Sequence, residues 1–179
     1  MYDELRKRGT SVTIRPASPG DGAAIQAYIG GLSPESRRYR FLGALSEVSP
    51  SELFRMTHPS DWHDQTLLVE AITGGVPAMI GEVRYAIAPD GSTCEFALSV
   101  AENWRRRRLG TRLLEFVACR ARTLGAHTLV GEVLRSNAPM TALASKAGFA
   151  TTAPIADARL IRISRYLSLP PAEAVAPAA

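Results

Sequence analysis

The sequence predicts a single mixed α/β (α+β) domain, a mostly antiparallel sheet flanked by helices. Three observations carry this. The apolar periodicities run in the order strand, two or three helices, three strands, helix, strand, helix, strand. Short turns at Gly74-Gly75 and Pro89-Asp90-Gly91 separate consecutive apolar runs, as in an antiparallel meander. The chain has 179 residues, 46% of them hydrophobic, enough for one full core, and it carries no internal repeat and no second-domain linker.

Residues 11–15 alternate as a short first strand. Residues 21–29 read as a helix with Ile25, Tyr28, Ile29 and Leu32 along one side. A second helix starts at Ser33-Pro34-Glu35, with Ser33 as N-cap, Pro34 in the first helical position and Glu35 favourable to the helix dipole. Ser49-Pro50-Ser51-Glu52 has the form of a capping box and opens a short helix to Met56. The three strands of the meander cover residues 66–72, 79–88 and 93–100. Leu109, Leu113, Val117, Ala121 and Leu124 then recur at helical spacing, stopped by Gly125. Residues 128–134 are apolar enough for a buried strand. Asn137 caps a helix that carries Met140, Leu143 and Ala147 and stops at Gly148, and residues 159–167 form a last strand. The expected boundaries are a flexible N-terminus over residues 1–10, the domain over 11–167, and a disordered Pro- and Ala-rich tail over 168–179.

The most informative segment joins the third meander strand to the long helix: Trp104-Arg105-Arg106-Arg107-Arg108-Leu109-Gly110-Thr111. The free N–H groups of a helix N-terminus and the helix dipole both favour a negative group there. Arginine adds a planar fork that matches phosphate oxygens. The net charge is +4, which these four arginines alone supply, so the rest of the chain is neutral. A nucleic-acid binder spreads its basic face over several elements, whereas a pocket for one phosphorylated ligand needs only a cluster. The two cysteines, Cys94 and Cys119, form no disulfide framework and read as buried small hydrophobes. His58, His63 and His127 lack metal-ligand spacing, and Trp104 reads as a packing residue. With no secretory signal and no apolar stretch that spans a bilayer, the cytoplasm is the expected location.

Over residues 11–166 the chain resembles the GNAT superfamily of N-acetyltransferases. The resemblance rests on Trp104 through Thr111, on Asn137-Ala138-Pro139-Met140-Thr141-Ala142-Leu143 and on Lys146-Ala147-Gly148-Phe149. The family's phosphate loop, Q/R-x-x-G-x-G/A, is met by Arg105 and Gly110, with Arg108 where the middle glycine is expected. The segment from Leu32 through Phe41 also looks like the bacterial protein-lysine acetyltransferase branch, which implies that these helices form one wall of the acceptor cleft. The resemblance implies a GNAT-like domain whose cosubstrate is acetyl-CoA, with no metal. It implies that backbone N–H groups of Arg106, Arg107, Arg108, Leu109, Gly110 and Thr111 hold the coenzyme pyrophosphate, with the Arg105 and Arg106 side chains nearby. It further implies that Leu98 and Val100 serve the pantetheine arm and that Asn137 lies near it. Many members carry a tyrosine general acid where this chain has Ala144.

Attack by an amine requires a base to take its proton. The resemblance implies a carboxylate base on the strand before the phosphate loop; Glu95 is the expected one, and Glu82 on the adjacent strand is the runner-up. At Arg108 the expectation is an ordinary helix-start residue with negative φ, because non-glycine residues rarely adopt positive φ. Its replacement by glycine is then expected to weaken coenzyme binding.

The expected function is therefore acetyl transfer from acetyl-CoA to a primary amine, a protein lysine or a small molecule, without an acyl-cysteine. Neither a nucleic acid nor a membrane is an expected partner, and a homodimer is left open. A non-catalytic acyl-CoA sensor stands as the alternative.

Overall fold

The computed structural model describes residues 3–7, 10–59, 61–73, 75–152 and 157–167. Eight strands form one sheet: β1 (Asp3–Lys7), β2 (Thr10–Pro16), β3 (Asp64–Thr73), β4 (Val76–Ile87), β5 (Thr93–Val100), β6 (Thr128–Leu134), β7 (Ala150–Thr152) and β8 (Leu160–Tyr166). Their spatial order is β1-β2-β3-β4-β5-β6-β8-β7, and every neighbouring pair is antiparallel except β5 with β6. Five helices join them: α1 (Gly22–Gly31), α2 (Pro34–Phe41), α3 (Pro50–Thr57), α4 (Leu109–Thr123) and α5 (Ala138–Lys146).

Strand alternation divides the core in two. Val69 faces α4, which buries Leu109, Leu113, Leu114, Val117, Ala118 and Ala121 against that side. Leu68, its chain neighbour, faces the other way and joins Ile25, Tyr28 and Ile29 of α1 and Met56 of α3. The sheet is thus a central layer with apolar helix stripes on both sides.

The helix signals in the sequence act much as expected. Ser33 accepts from the Ser36 N–H at 3.2 Å, and Asn137 accepts from the Met140 N–H at 3.1 Å. Gly125 and Gly148 take φ of 87° and 78°, the left-handed stop that follows α4 and α5. Ser49 caps α3 by accepting from Glu52 N–H. The return half of that capping box is missing, because the Glu52 carboxylate pairs with Arg55 and with Arg84 at 2.7 Å.

Two strands were not legible. Residues 3–7 fall in the stretch expected to be flexible, yet they pair with β2 from Asp3↔Ile14 to Lys7↔Thr10. An edge strand needs backbone partners on one side alone. The short β7 is exposed along its length and has no apolar pattern to announce it. The expected disordered tail over 168–179 lies outside the described residues.

Candidate active site

β5 and β6 pair only through Thr93↔Thr128, Cys94↔Leu129 and Glu95↔Val130. Both strands continue, β5 still paired with β4 as far as Val100, but they diverge from each other. Gly131 stands at the point of divergence, and a Cβ there would lie 3.1 Å from the Phe96 ring. The splay leaves the β6-facing edge of β5 without a ladder partner beyond Glu95. It opens into a cavity of about 540 Å³ whose walls include Leu98, Ser99 and Val100.

At one end the cavity reaches the N-terminus of α4. After Val100 a single 3-10 turn, Glu102–Trp104, leads to Arg105 in an extended conformation with φ −69° and ψ 166°. Arg106 then takes φ 58°, and Arg108, the N-cap of α4, takes φ 64° and ψ 7°. The expectation of negative φ at Arg108 is corrected: this residue occupies the left-handed conformation that a glycine takes without strain. Left-handed residues interleaved with others turn successive backbone N–H groups inward, which makes an anion-binding concavity. It merges with the free first-turn amides of α4. Arg105, Arg106, Arg108, Leu109, Gly110 and Thr111 all line the cavity.

The four guanidiniums differ in role. Arg105 is committed to the protein: it donates to Val100 O at 3.1 Å and to Ser36 Oγ at 2.7 Å. Arg107 stacks over the Trp104 ring at 4.8 Å and does not line the cavity. Arg106 and Arg108 line it and have no side-chain hydrogen bond among the described residues. A Cβ at Gly110 would lie 2.9 Å from Leu143 Cδ2 on α5, so that side chain would have to shift to admit one.

A left-handed L-residue costs about 1–2 kcal/mol, partly offset by the larger chain entropy that glycine loses on folding. Arg108→Gly is therefore expected to raise stability by up to about 1 kcal/mol, read as a higher urea midpoint. A lower midpoint would show that Arg108 is held there by compensating contacts.

The opposite wall is α2. Its Arg37 donates to Gly30 O, Leu32 O and Leu45 O and so fixes the α1–α2 turn. Glu102 accepts from Ser33 N–H and from Ser36 Oγ at 2.6 Å, which ties α2 to the segment after β5. Burial pushes the Glu102 carboxyl up, but these bonds outweigh it and hold the group at about 2. The Tyr39 hydroxyl lies 2.8 Å from Glu35 Oε1 and 2.9 Å from Ser136 O, so it bridges α2 to the residue before Asn137.

Beneath this wall lies a buried polar chain. Arg40 donates to both oxygens of Glu82, through Nε to Oε1 and through Nη2 to Oε2 at 2.9 Å. Ser99 Oγ donates to Glu82 Oε1 at 2.9 Å and lies 3.0 Å from Tyr28 Oη. Glu82 is completely buried, whereas Arg40 and Ser99 line the cavity.

Glu95 does not belong to the site. It is exposed, it pairs with Ala86 and Val130 at the closed end of the splay, and it does not line the cavity. Alternation sets it on the face of Ser99, but four residues away, about 13 Å along the strand. Glu82 does not line the cavity but is linked to it through Ser99, whereas Glu35 and Glu132 line it directly. The signal of Glu82 in the sequence is a lone charge inside the apolar run Met79-Ile80-Gly81-Glu82-Val83.

Asn137, Met140 and Leu143 line the cavity from α5, while Ala144 faces the core and is buried. Cys94 is buried, with its thiol pushed up to about 12 by desolvation. Cys119 is exposed on α4, contrary to the expectation that both cysteines are buried. Neither lines the cavity. Among the described residues no group of three or more His, Cys, Asp or Glu is placed to hold a metal ion, and no helix is long and apolar enough to cross a membrane.

This architecture recurs in solved structures. The GNAT domain of S. lividans PAT matches with a TM-score of 0.82 at 25% identity, covering 93% of this chain and 97% of that one. The structure of yncA from Salmonella typhimurium with its cofactor acetyl-CoA matches with a TM-score of 0.68 at 23% identity, covering 94% and 98%. In sequence, an acetyltransferase of Pseudomonas aeruginosa is 27% identical over 141 residues, 79% of this chain and 76% of its own length. Residues 36–149, which contain the α2 wall, the splayed strands and the arginine turn, match the sequence model of the acetyltransferase (GNAT) family. A match over that much of the chain makes it a member of the GNAT family of acetyltransferases.

Proposed function

We propose that this protein transfers an acetyl group from acetyl-CoA to a primary amine, a protein lysine or a small molecule, by direct transfer in a ternary complex. One observation carries the reading: a single cavity joins an anion cradle, an unpaired strand edge and a buried carboxylate network. The donor set fits coenzyme A. Backbone amides from Arg106 to Thr111 and the free guanidiniums of Arg106 and Arg108 suit a pyrophosphate. The open edge of β5 at Leu98 and Val100 suits an extended amide-bearing arm, and Asn137 lies across from it. The bound cosubstrate supplies an acyl group activated as a thioester.

In this reading Glu82 is the general base. Ser99 passes the amine proton to it, since the hydroxyl both lines the cavity and donates to Glu82. Glu35 and Glu132 at the cavity wall favour a cationic acceptor. Direct transfer is supported by the cysteines, neither of which faces the cavity.

Acetyl-CoA is expected to raise the thermal midpoint, since a ligand at 100 times its Kd stabilises the native state by about 2.7 kcal/mol. Arg106→Ala with Arg108→Ala is expected to weaken binding by at least tenfold, a charge-assisted contact contributing about 1.5–3 kcal/mol. A double variant that binds as tightly as the parent would place the pyrophosphate elsewhere. Binding without thiol release across a panel of amines and lysine peptides would favour the sensor.

A further inference from the structure

Arg40 has a second face. Its side chain is only 9% exposed and its Nε and Nη2 are directed to Glu82. Nη1 has no hydrogen-bond partner among the described residues. It is also absent from the fully enclosed unsatisfied side-chain atoms, which are Gln26 Oε1, Thr66 Oγ1 and Arg162 Nε. Arg40 lines the cavity. A nine-tenths-buried guanidinium at the cavity wall thus keeps one N–H edge without a partner among the described residues. Burial opposes its charge, but Glu82 beside it holds the group protonated above its ordinary range.

Charge conservation assigns that edge a task. At rest Glu82 and Arg40 neutralise each other. As the amine nitrogen bonds to the acyl carbon and the C–S bond breaks, the electron pair leaves on sulfur as a thiolate. One ammonium proton moves through Ser99 to Glu82, and the second, shed by the nitrogen as the amide forms, passes to water. Glu82 becomes neutral at the moment the thiolate becomes negative, and the buried Arg40 loses its counterion. An uncompensated buried charge is costly. The new negative charge relieves that cost if it lies against Nη1, and the site then needs no dedicated acid at the position of Ala144.

We propose that Arg40 is a catalytic residue whose free Nη1 edge pairs with the departing thiolate, so that the positive charge exchanges one anion for another during transfer. This rests on the acetyltransferase reading of the cavity. The charged and titratable groups that bear on Arg40 are Glu82 from β4, Tyr28 from α1 and Glu52 from α3. Glu35 and Tyr39 of its own helix and Glu132 of β6 line the same cavity.

The test is the ionisation of the thiol in bound coenzyme A, followed by thiolate absorbance against pH on the intact protein. In the parent the bound thiol is expected to ionise about one to three pH units below free coenzyme A, as beside an adjacent opposite charge. Arg40→Lys retains a charge for Glu82 but cannot serve both sides, so the thiol returns toward its free value. Glu82→Gln removes the competing anion, so the thiol falls further. A structural role for Arg40 would not give opposite signs. A parent thiol that titrates like free coenzyme A, or one that Arg40→Lys leaves unmoved, overturns the proposal while the acetyltransferase reading stands on its thiol-release assay. Failure of coenzyme A to bind at all overturns both. If Glu82→Gln does not fold, the Arg40→Lys comparison decides.

Discussion

Glu82→Gln is expected to lower the maximal rate of acetyl transfer by roughly 10²–10⁴-fold, the usual contribution of a positioned base, with coenzyme A affinity nearly unchanged. The amide keeps the shape of the carboxylate and can still accept from Ser99, whose Oγ lies 2.9 Å from Glu82 Oε1. It cannot take a proton. Glu95→Gln is expected to leave the rate unchanged, because Glu95 is exposed at the closed end of the splay. Raising the pH is expected to rescue Glu82→Gln in part, since a larger fraction of the acceptor is then already deprotonated. Circular dichroism and thermal melting establish first that the variant folds. A folded Glu82→Gln enzyme with the parent's rate at neutral pH would remove the carboxylate from the mechanism and leave water as the base.

The contrast between these two glutamates marks where sequence reasoning ran out. Local signals fixed the elements well: the caps at Ser33 and Asn137 and the apolar stripe of α4 all operate as read. The arginine turn was legible too as a strand-to-helix junction, and Arg105, Arg106 and Arg108 line the cavity there. The base was not. Alternation gives the face of Glu95 but not the point where β5 leaves β6, and that point decides whether Glu95 meets the cavity. Gly131, at the divergence, lies against Phe96, far away in sequence. Arg108 failed for a related reason. Base rates disfavour positive φ, but the turn must reverse the chain within a few residues of Val100, and two arginines adopt the left-handed conformation to do so. Likewise Arg105 carries the motif yet donates to Ser36 on α2, a partner 69 residues away.

Arg40→Met is expected to destabilise the fold by about 3–5 kcal/mol, the cost of stranding one half of a buried ion pair. Glu82 is wholly buried, and after the substitution only Ser99 would face its carboxylate. That is a large part of the about 5–15 kcal/mol that holds a domain together, so the single variant is expected to melt early in urea or to be recovered poorly. Combining Arg40→Met with Glu82→Leu removes both charges and fills similar volume with apolar atoms. Such replacements of buried pairs are often neutral or stabilising, so the double variant is expected to recover most of the loss. Its stability would then exceed that of Arg40→Met alone although it carries more substitutions. Equilibrium urea unfolding of the parent, both single variants and the double variant gives the coupling directly. Additive losses would mean that the two groups do not act as a pair. The double variant also separates folding from chemistry. It is expected to bind coenzyme A through the α4 cradle and yet transfer no acetyl group, because the base and its counterion are gone while the anion site is intact.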